Sequence, residues 1–213
     1  MQPTIFIRCC LVIGLSAALA AALAGPPQAN VVGKATRLIP SANLTRATRT
    51  LRLQLNDAVS ENDLVRTAPG GRARLELADG SLINVGSASE LVVHAPTGAT
   101  TATSLELRYG RVRAWVAPRT GANGLEVRTN TAVAGVLGTT LFVDATRDLT
   151  RIANLSAEPN AQVRVTSTDP AVTETVILLP GEGTAVPTNR PPQPARRWTQ
   201  EEMQAGYEDT LIP

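Results

Sequence analysis

Aromatic residues are almost absent from this chain of 213: two Trp, two Tyr and two Phe make up 3% of it. Its core must therefore be built from Val, Leu, Ile and Ala, within an apolar content of 43%. Cysteine is as scarce. Cys9 and Cys10 are the only two, and both lie within the first ten residues. A chain that loses this segment holds neither a disulfide nor a reactive thiol. There is one histidine, His94, so a zinc site, which needs several N or S ligands, is not expected. An excess of one charge is lacking too. The 20 Lys and Arg stand against 18 Asp and Glu, a formal +2. Nucleic-acid binding usually demands a concentrated basic surface, so that partner is not expected either.

The one long apolar run, Cys9–Leu23, is short for a membrane span, which needs about 20 such residues. Arg8 precedes it, and Ala22-Leu-Ala24 followed by Gly25-Pro-Pro27 has the form of a cleavage site. Residues 1–24 are expected to be a signal peptide and the mature chain to begin at Gly25. A retained anchor is the alternative, and it would be the only membrane contact. Export without disulfides suggests a bacterial periplasm or cell surface.

Beyond it, enrichment in Val, Thr and Gly with many short runs favours sheet. Residues 25–55 read as a leader with one or two first strands around a turn at Pro40–Asn43. Residues 56–187 read as a β domain, with strands expected at 71–78, 81–85, 90–95, 103–109, 111–117, 124–129, 139–144, 149–155, 161–167 and 174–179. No helical period appears there. Pro191, Pro192 and Pro194 mark an extended linker over 188–195. Residues 196–213 form a tail. Its Thr199 and Glu202 stand at capping-box spacing, which predicts a helix from Gln200 to Ala205 ending at Gly206. So short a helix must dock on this domain or on a partner.

Two places are expected to shape the sheet. Ala73, Leu75 and Leu77 alternate with Arg72, Arg74 and Glu76, and the next strand puts Ile83 and Val85 inward. A two-residue hairpin at Asp79-Gly80 would mix these faces. Either the loop has three residues with a bulge, or the chain turns a corner there. The second place is Val127–Asp144, read as strand, small-residue turn and strand. Gly135 and Gly138, with Thr139 beside them, sit where the backbone bends or packs closely.

That second stretch carries a resemblance. Val127, Thr129, Ala132, Gly135, Val136, Gly138, Thr139, Leu141 and Val143 stand at the spacing of the centre of the FecR domain, a bacterial periplasmic domain. The flanks agree. Asn62–Thr67 resembles its "Gly-Asp-x-Val-x-Thr" opening, with Asn62 in place of Gly. Arg74–Ser81 resembles its "Leu-x-Leu-x-Asp-Gly-Ser" turn, Tyr109–Arg113 its "Gly-x-Val" strand, and Leu178–Glu182 its closing "Leu-x-Pro-Gly". One departure stands at Thr150–Val163, where Asn154 and Pro159 make the hairpin longer and more polar than the family pattern. The resemblance implies an elongated, curled, antiparallel β-structure, solenoid-like, with the short helix as its tail. Best-known members are membrane-anchored regulators that sense an outer-membrane iron transporter and control a sigma factor through a cytoplasmic arm. Few residues precede the apolar run here, so the resemblance implies the sensing half alone.

Catalytic patterns are missing. There is no Gly-x-Ser-x-Gly, Ser-x-x-Lys or His-Glu-x-x-His. His94 alternates with Val93 and Ala95 and should face outward. Glu76, Glu106 and Glu126 lie on outward strand faces beside Leu, as solvated positions do. Asp144 and Asp148 read as a polar turn in preference to a hard-cation site. No cofactor is expected and the chain is read as a non-enzyme. The candidate contact surface is Arg111, Arg113 and Trp115 on one strand face, with Arg108 across the turn. Such side chains stack and form bidentate bonds with a protein or an anionic glycan of the envelope. Trp198 in the tail is the second choice. A structural, self-associating envelope protein is the alternative, and a carbohydrate-active enzyme of unrecognised type the third.

Overall fold

The structure, a computed structural model, describes residues 30–96, 102–118 and 124–212. The expected signal peptide and the Gly25 cleavage point lie outside the described residues. The chain opens with β1 (Val31–Ile39), β2 (Ala42–Arg46), β3 (Arg49–Arg52), β4 (Ala58–Ser60) and β5 (Leu64–Thr67). Next come β6 (Arg72–Leu77), β7 (Leu82–Val85), β8 (Glu90–His94) and the long β9 (Thr103–Trp115). They are followed by β10 (Leu125–Arg128), β11 (Ala132–Val136), β12 (Thr140–Ala145) and β13 (Leu149–Asn154). The last strands are β14 (Val163–Ser167), β15 (Thr175–Leu178), β16 (Glu182–Pro187) and β17 (Arg196–Arg197), and α1 (Gln200–Thr210) ends the chain.

The fold is all-β with one short C-terminal helix among the described residues. The strands form one continuous hydrogen-bonded network with two halves. One half runs β4–β1–β6–β7–β9–β12–β13–β16–β17. The other runs β3–β2–β5–β8–β9–β10–β11–β14–β15. β9 belongs to both and joins them. Their inner faces share one aliphatic core, with Leu75, Ile83, Val112 and Ile152 from the first half and Leu91, Leu105, Val127 and Val165 from the second. All eight are essentially inaccessible to water, and each such side chain contributes roughly 1.5–3 kcal/mol of burial.

Several expectations need correction. The sheet is mixed, because β9 and β10 pair in parallel. The stretch from Val127 to Asp144 holds three strands, not two. Ala132–Val136, read as a turn from its small residues, is β11, and it points Ala132, Ala134 and Val136 inward. Gly135 is accordingly mid-strand, with open space where a side chain would stand. β9 runs unbroken through Gly110, where two strands were expected. β4, β5 and β16 were not expected as strands at all. Residues 31–52 pair directly with the FecR-like region, β1 with β6 and β2 with β5.

The Asp79-Gly80 loop takes the bulged form of the two open alternatives. The Leu77 amide donates to Ser81 O at 2.9 Å and the Gly80 amide to Leu77 O at 2.9 Å. Gly80 has φ +84°, which only glycine adopts cheaply. The Asp79 carboxylate accepts from the Ser81 amide at 2.7 Å. Leu75 then faces Ile83 and Ala73 faces Val85, so the apolar faces stay together.

Gly138, at the entry to β12, has φ +141°, and an added Cβ would stand 3.0 Å from Pro118 Cα. Gly138→Val is expected to destabilise by about 1–3 kcal/mol, through strain and overpacking together. Urea unfolding of the purified chain measures it. An unchanged midpoint would mean that this junction is slack.

Candidate functional site

The second half of β9 presents Arg111, Arg113 and Trp115 outward, while Val112, Ala114 and Val116 enter the core. Register extends this outer face across neighbouring strands. Arg113 lies between Asn84 of β7 and Phe142 of β12, and Trp115 between Leu82 and Thr140. Arg74 of β6 stands opposite Asn84. Arg108 is not part of the group. It lies before Gly110, where the inward parity changes, and pairs with Glu106 on the other half at 3.1 Å.

The tail covers this face. α1 runs to Thr210, past the predicted stop at Gly206. Glycine there ends nothing: it packs against the Phe142 ring, which an added Cβ would meet at 3.4 Å. At the start of the helix, Thr199 and Glu202 form the predicted capping box. Arg196 donates to Glu202 at 2.9 Å. That guanidinium, aided by the Thr199 amide, pulls the Glu202 carboxyl down to about 2. Trp198 sits just before the cap. Its ring meets Phe142 edge-on, with centroids 6.0 Å apart, and occupies the space a side chain on Gly183 would fill. The linker is laid along β16, since the Gln193 amide donates to Ala185 O at 2.9 Å.

The other end of α1 is held by arginines. Arg72 donates to Asp209 O at 2.9 Å and to Glu208 O at 3.3 Å. Arg74 donates to Ile212 O at 2.7 Å and also to Asn84. Arg113 donates to Thr210 O at 3.3 Å and stacks on Tyr207, 4.7 Å from its centroid. Arg111 forms an ion pair with the Asp209 carboxylate. The last carbonyls of a helix lack internal partners and carry its negative dipole end. α1 has no basic residue in its final turn, so the sheet supplies the cations. Burial pushes the Arg113 guanidinium below its ordinary value, and nearby Arg74 adds to this.

The sequence-predicted residues share one tail without touching: Trp198 anchors it before α1, and Arg111 and Arg113 engage the far end of the helix. Trp115 remains 45% exposed. Arg72, Arg74, Phe142, Gly183 and Asp209 were missed. Outward parity was the one local signal, and it marks solvated and covered positions alike. His94 lies outside the group, bonded to Asn62 at 3.0 Å and near Glu106 at 3.3 Å. Among the described residues no three His, Cys, Asp or Glu are placed to hold a metal. A cavity of about 540 Å³ lies on the second half around Glu126, Gly135, Arg164 and Ile177. Among the described residues no helix is long and apolar enough to cross a membrane.

Residues 63–158 match the FecR protein family. Over that stretch the chain is similar to the FecR family. The match takes in β5 through β13 and thus the arginine-bearing strands β6 and β9, while α1 lies beyond it. In fold, the chain is similar to two crystal structures of a candidate anti-sigma factor from Parabacteroides distasonis ATCC 8503, at 2.50 and 1.65 Å resolution. Each gives a TM-score of 0.53 at 18% identity over 67% of this chain. The chain spans 62% and 63% of the length of those structures. At that identity the likeness is one of fold. A search of curated proteins finds no match.

Proposed function

We propose that this FecR-like chain is an exported, non-catalytic sensing module that binds a protein of the bacterial cell envelope. The observation that carries this reading is the outer face of β6, β7, β9 and β12. It takes a helix end through arginine forks, which suit peptide carbonyls and carboxylates, and it leaves Trp115 uncovered at its side. Envelope glycan is the second ligand class for the same arginine and tryptophan chemistry. Self-association as a structural envelope protein is the competing reading, favoured by exposed edge strands such as β3, all four residues of which face water.

The test begins with capture of a partner from envelope extract by the mature chain, followed by Trp115→Ala. Truncating an anchor of this kind costs about 2 kcal/mol, near thirtyfold in Kd. A folded Trp115→Ala chain that binds as the wild type does would reject this surface. Association of the chain with itself in dilute solution, with no partner captured, would favour the structural reading. Turnover of an envelope glycan by the purified chain would reject the non-enzymatic one.

A further inference from the structure

We propose that α1 is a displaceable occupant of the arginine face, and that a partner presenting the acidic C-terminal end of a helix binds there in its place. This rests on the reading above that the outer face of β9 is the binding surface.

The main aliphatic core draws no residue from α1. The tail packs on a separate small cluster, in which Phe142, Ala153 and Leu155 meet Trp198 and Met203. The helix itself buries only Gly206 and Thr210. Beyond it Ile212 is buried, while Tyr207 and Leu211 remain exposed. Eleven residues fall short of the roughly 12–15 at which isolated helices become marginal in water. α1 is thus held at its far end by charge and hydrogen bonds, with little apolar area to fix it.

The face also requires an anionic occupant. Arg72, Arg74, Arg111 and Arg113 converge on it, and among the described residues the sheet carboxylate paired with them is Asp144, 3.5 Å from Arg111. Without α1 these cations would face one another with a single counter-charge. What satisfies them now is specific. Three carbonyls of the helix end, of Glu208, Asp209 and Thr210, are joined by that of Ile212 in the extended residues just beyond it, with the Asp209 carboxylate beside them. Gly86 leaves room for this end, since an added Cβ would stand 3.2 Å from Asp209 O. An extended peptide or a lone carboxylate would fill part of this pattern. The C-terminus of an acidic helix, with the two residues that follow it, fills all of it and brings its own dipole.

Exchange has a computable signature. A face that α1 occupies 99% of the time binds an incoming helix about 100-fold more weakly than a free one. The probe is a labelled synthetic peptide of residues 198–212, added to the full chain and followed by fluorescence anisotropy. Asp209→Lys in the chain opposes Arg111 and should open the latch. Tyr207→Ala, which removes the ring under Arg113, is the second opening variant should the first fail to fold. The opened chain is expected to bind the peptide at least tenfold tighter than wild type. Adding Arg113→Ala to it should abolish that binding, and a peptide carrying Asp209→Lys should not bind at all.

Amide exchange over residues 206–210 tells whether the latch has opened. Exchange as slow in both variants as in the wild type would overturn the proposal by making α1 a fixed part of the fold. Fast exchange without peptide binding would overturn it by showing that the face is no receptor for a helix end. Peptide binding alongside a silent Trp115→Ala would support the latch while the Trp115 surface falls, which separates the two readings.

Discussion

Gly110→Ala is expected to destabilise the chain by about 3–5 kcal/mol, a large share of the 5–15 kcal/mol typical of a domain. Gly110 stands where β9 crosses from one half of the fold to the other. Before it, Thr103, Leu105 and Leu107 face the core; after it, Val112 and Ala114 do. The inward parity passes from odd to even, which a regular strand with its period of two cannot do. The chain achieves it with φ +93° at Gly110 and a register shift against β8 between Glu90 and Leu91. A Cβ there would stand 2.2 Å from Ser89 Oγ and 2.6 Å from Ser89 Cα. Ser89 is fully buried, and its hydroxyl accepts from the Arg111 amide at 2.9 Å. Backbone strain of about 1–3 kcal/mol therefore adds to overpacking of similar size. Gly80→Ala is the control. Its φ is +84° with nothing within 4 Å, so it carries the strain alone. Urea midpoints of the two variants separate the terms. Equal losses at Gly110 and Gly80 would mean that β9 moves freely at the crossing.

This crossing marks how far the sequence could be read. Parity within each half of β9 was legible, because the alternation of Leu with Glu and of Val with Arg is local. The change of parity was legible too, but its meaning was not. A bend at Gly110 fits two strands or one strand crossing between sheet halves, and pairing partners decide which. The same limit applies to the small residues. Ala132–Val136 carries too little apolar bulk to look like a strand, yet Ala132 and Ala134 are buried in the core. Gly206 followed a helical stretch and so read as its end. Its missing side chain instead lets α1 approach Phe142, a contact across 64 positions that no local pattern encodes. For the candidate site, the outward trio on β9 and the anchoring Trp198 were each visible from their own surroundings. That they cover the same face was not, since docking a helix on a sheet depends on where both lie in space.

Asn154 illustrates the other kind of illegible residue and gives the second large expected effect. In sequence it lengthens a hairpin with a polar residue; in the fold it is fully buried at the end of β13. Its amide donates to Ala161 O at 3.0 Å and to Leu178 O at 3.1 Å. Its carbonyl accepts from Thr139 Oγ1 at 3.1 Å and from the Ser156 amide at 3.0 Å. One side chain thus ties the entries to β12 and β14 to the end of β15. Asn154→Ala strands these groups away from water, at roughly 1–3 kcal/mol for each buried group left unmatched. A total loss of about 3–5 kcal/mol is expected, since partial relaxation recovers some of the sum. Asn154→Asp keeps the shape but removes both donors and sets a carboxylate against two carbonyls. Burial and those carbonyls raise its folded-state pKa above the unfolded value near 3.9. The folded state then binds the extra proton, so the penalty is full above the raised pKa and shrinks as pH falls towards the unfolded one. The protonated acid donates one of the two lost bonds. Unfolding midpoints of Asn154→Asp and wild type at pH 7 and pH 4.5 should therefore converge at the lower pH. Profiles that stay parallel would place this side chain in contact with water and remove it as a tie between the strands.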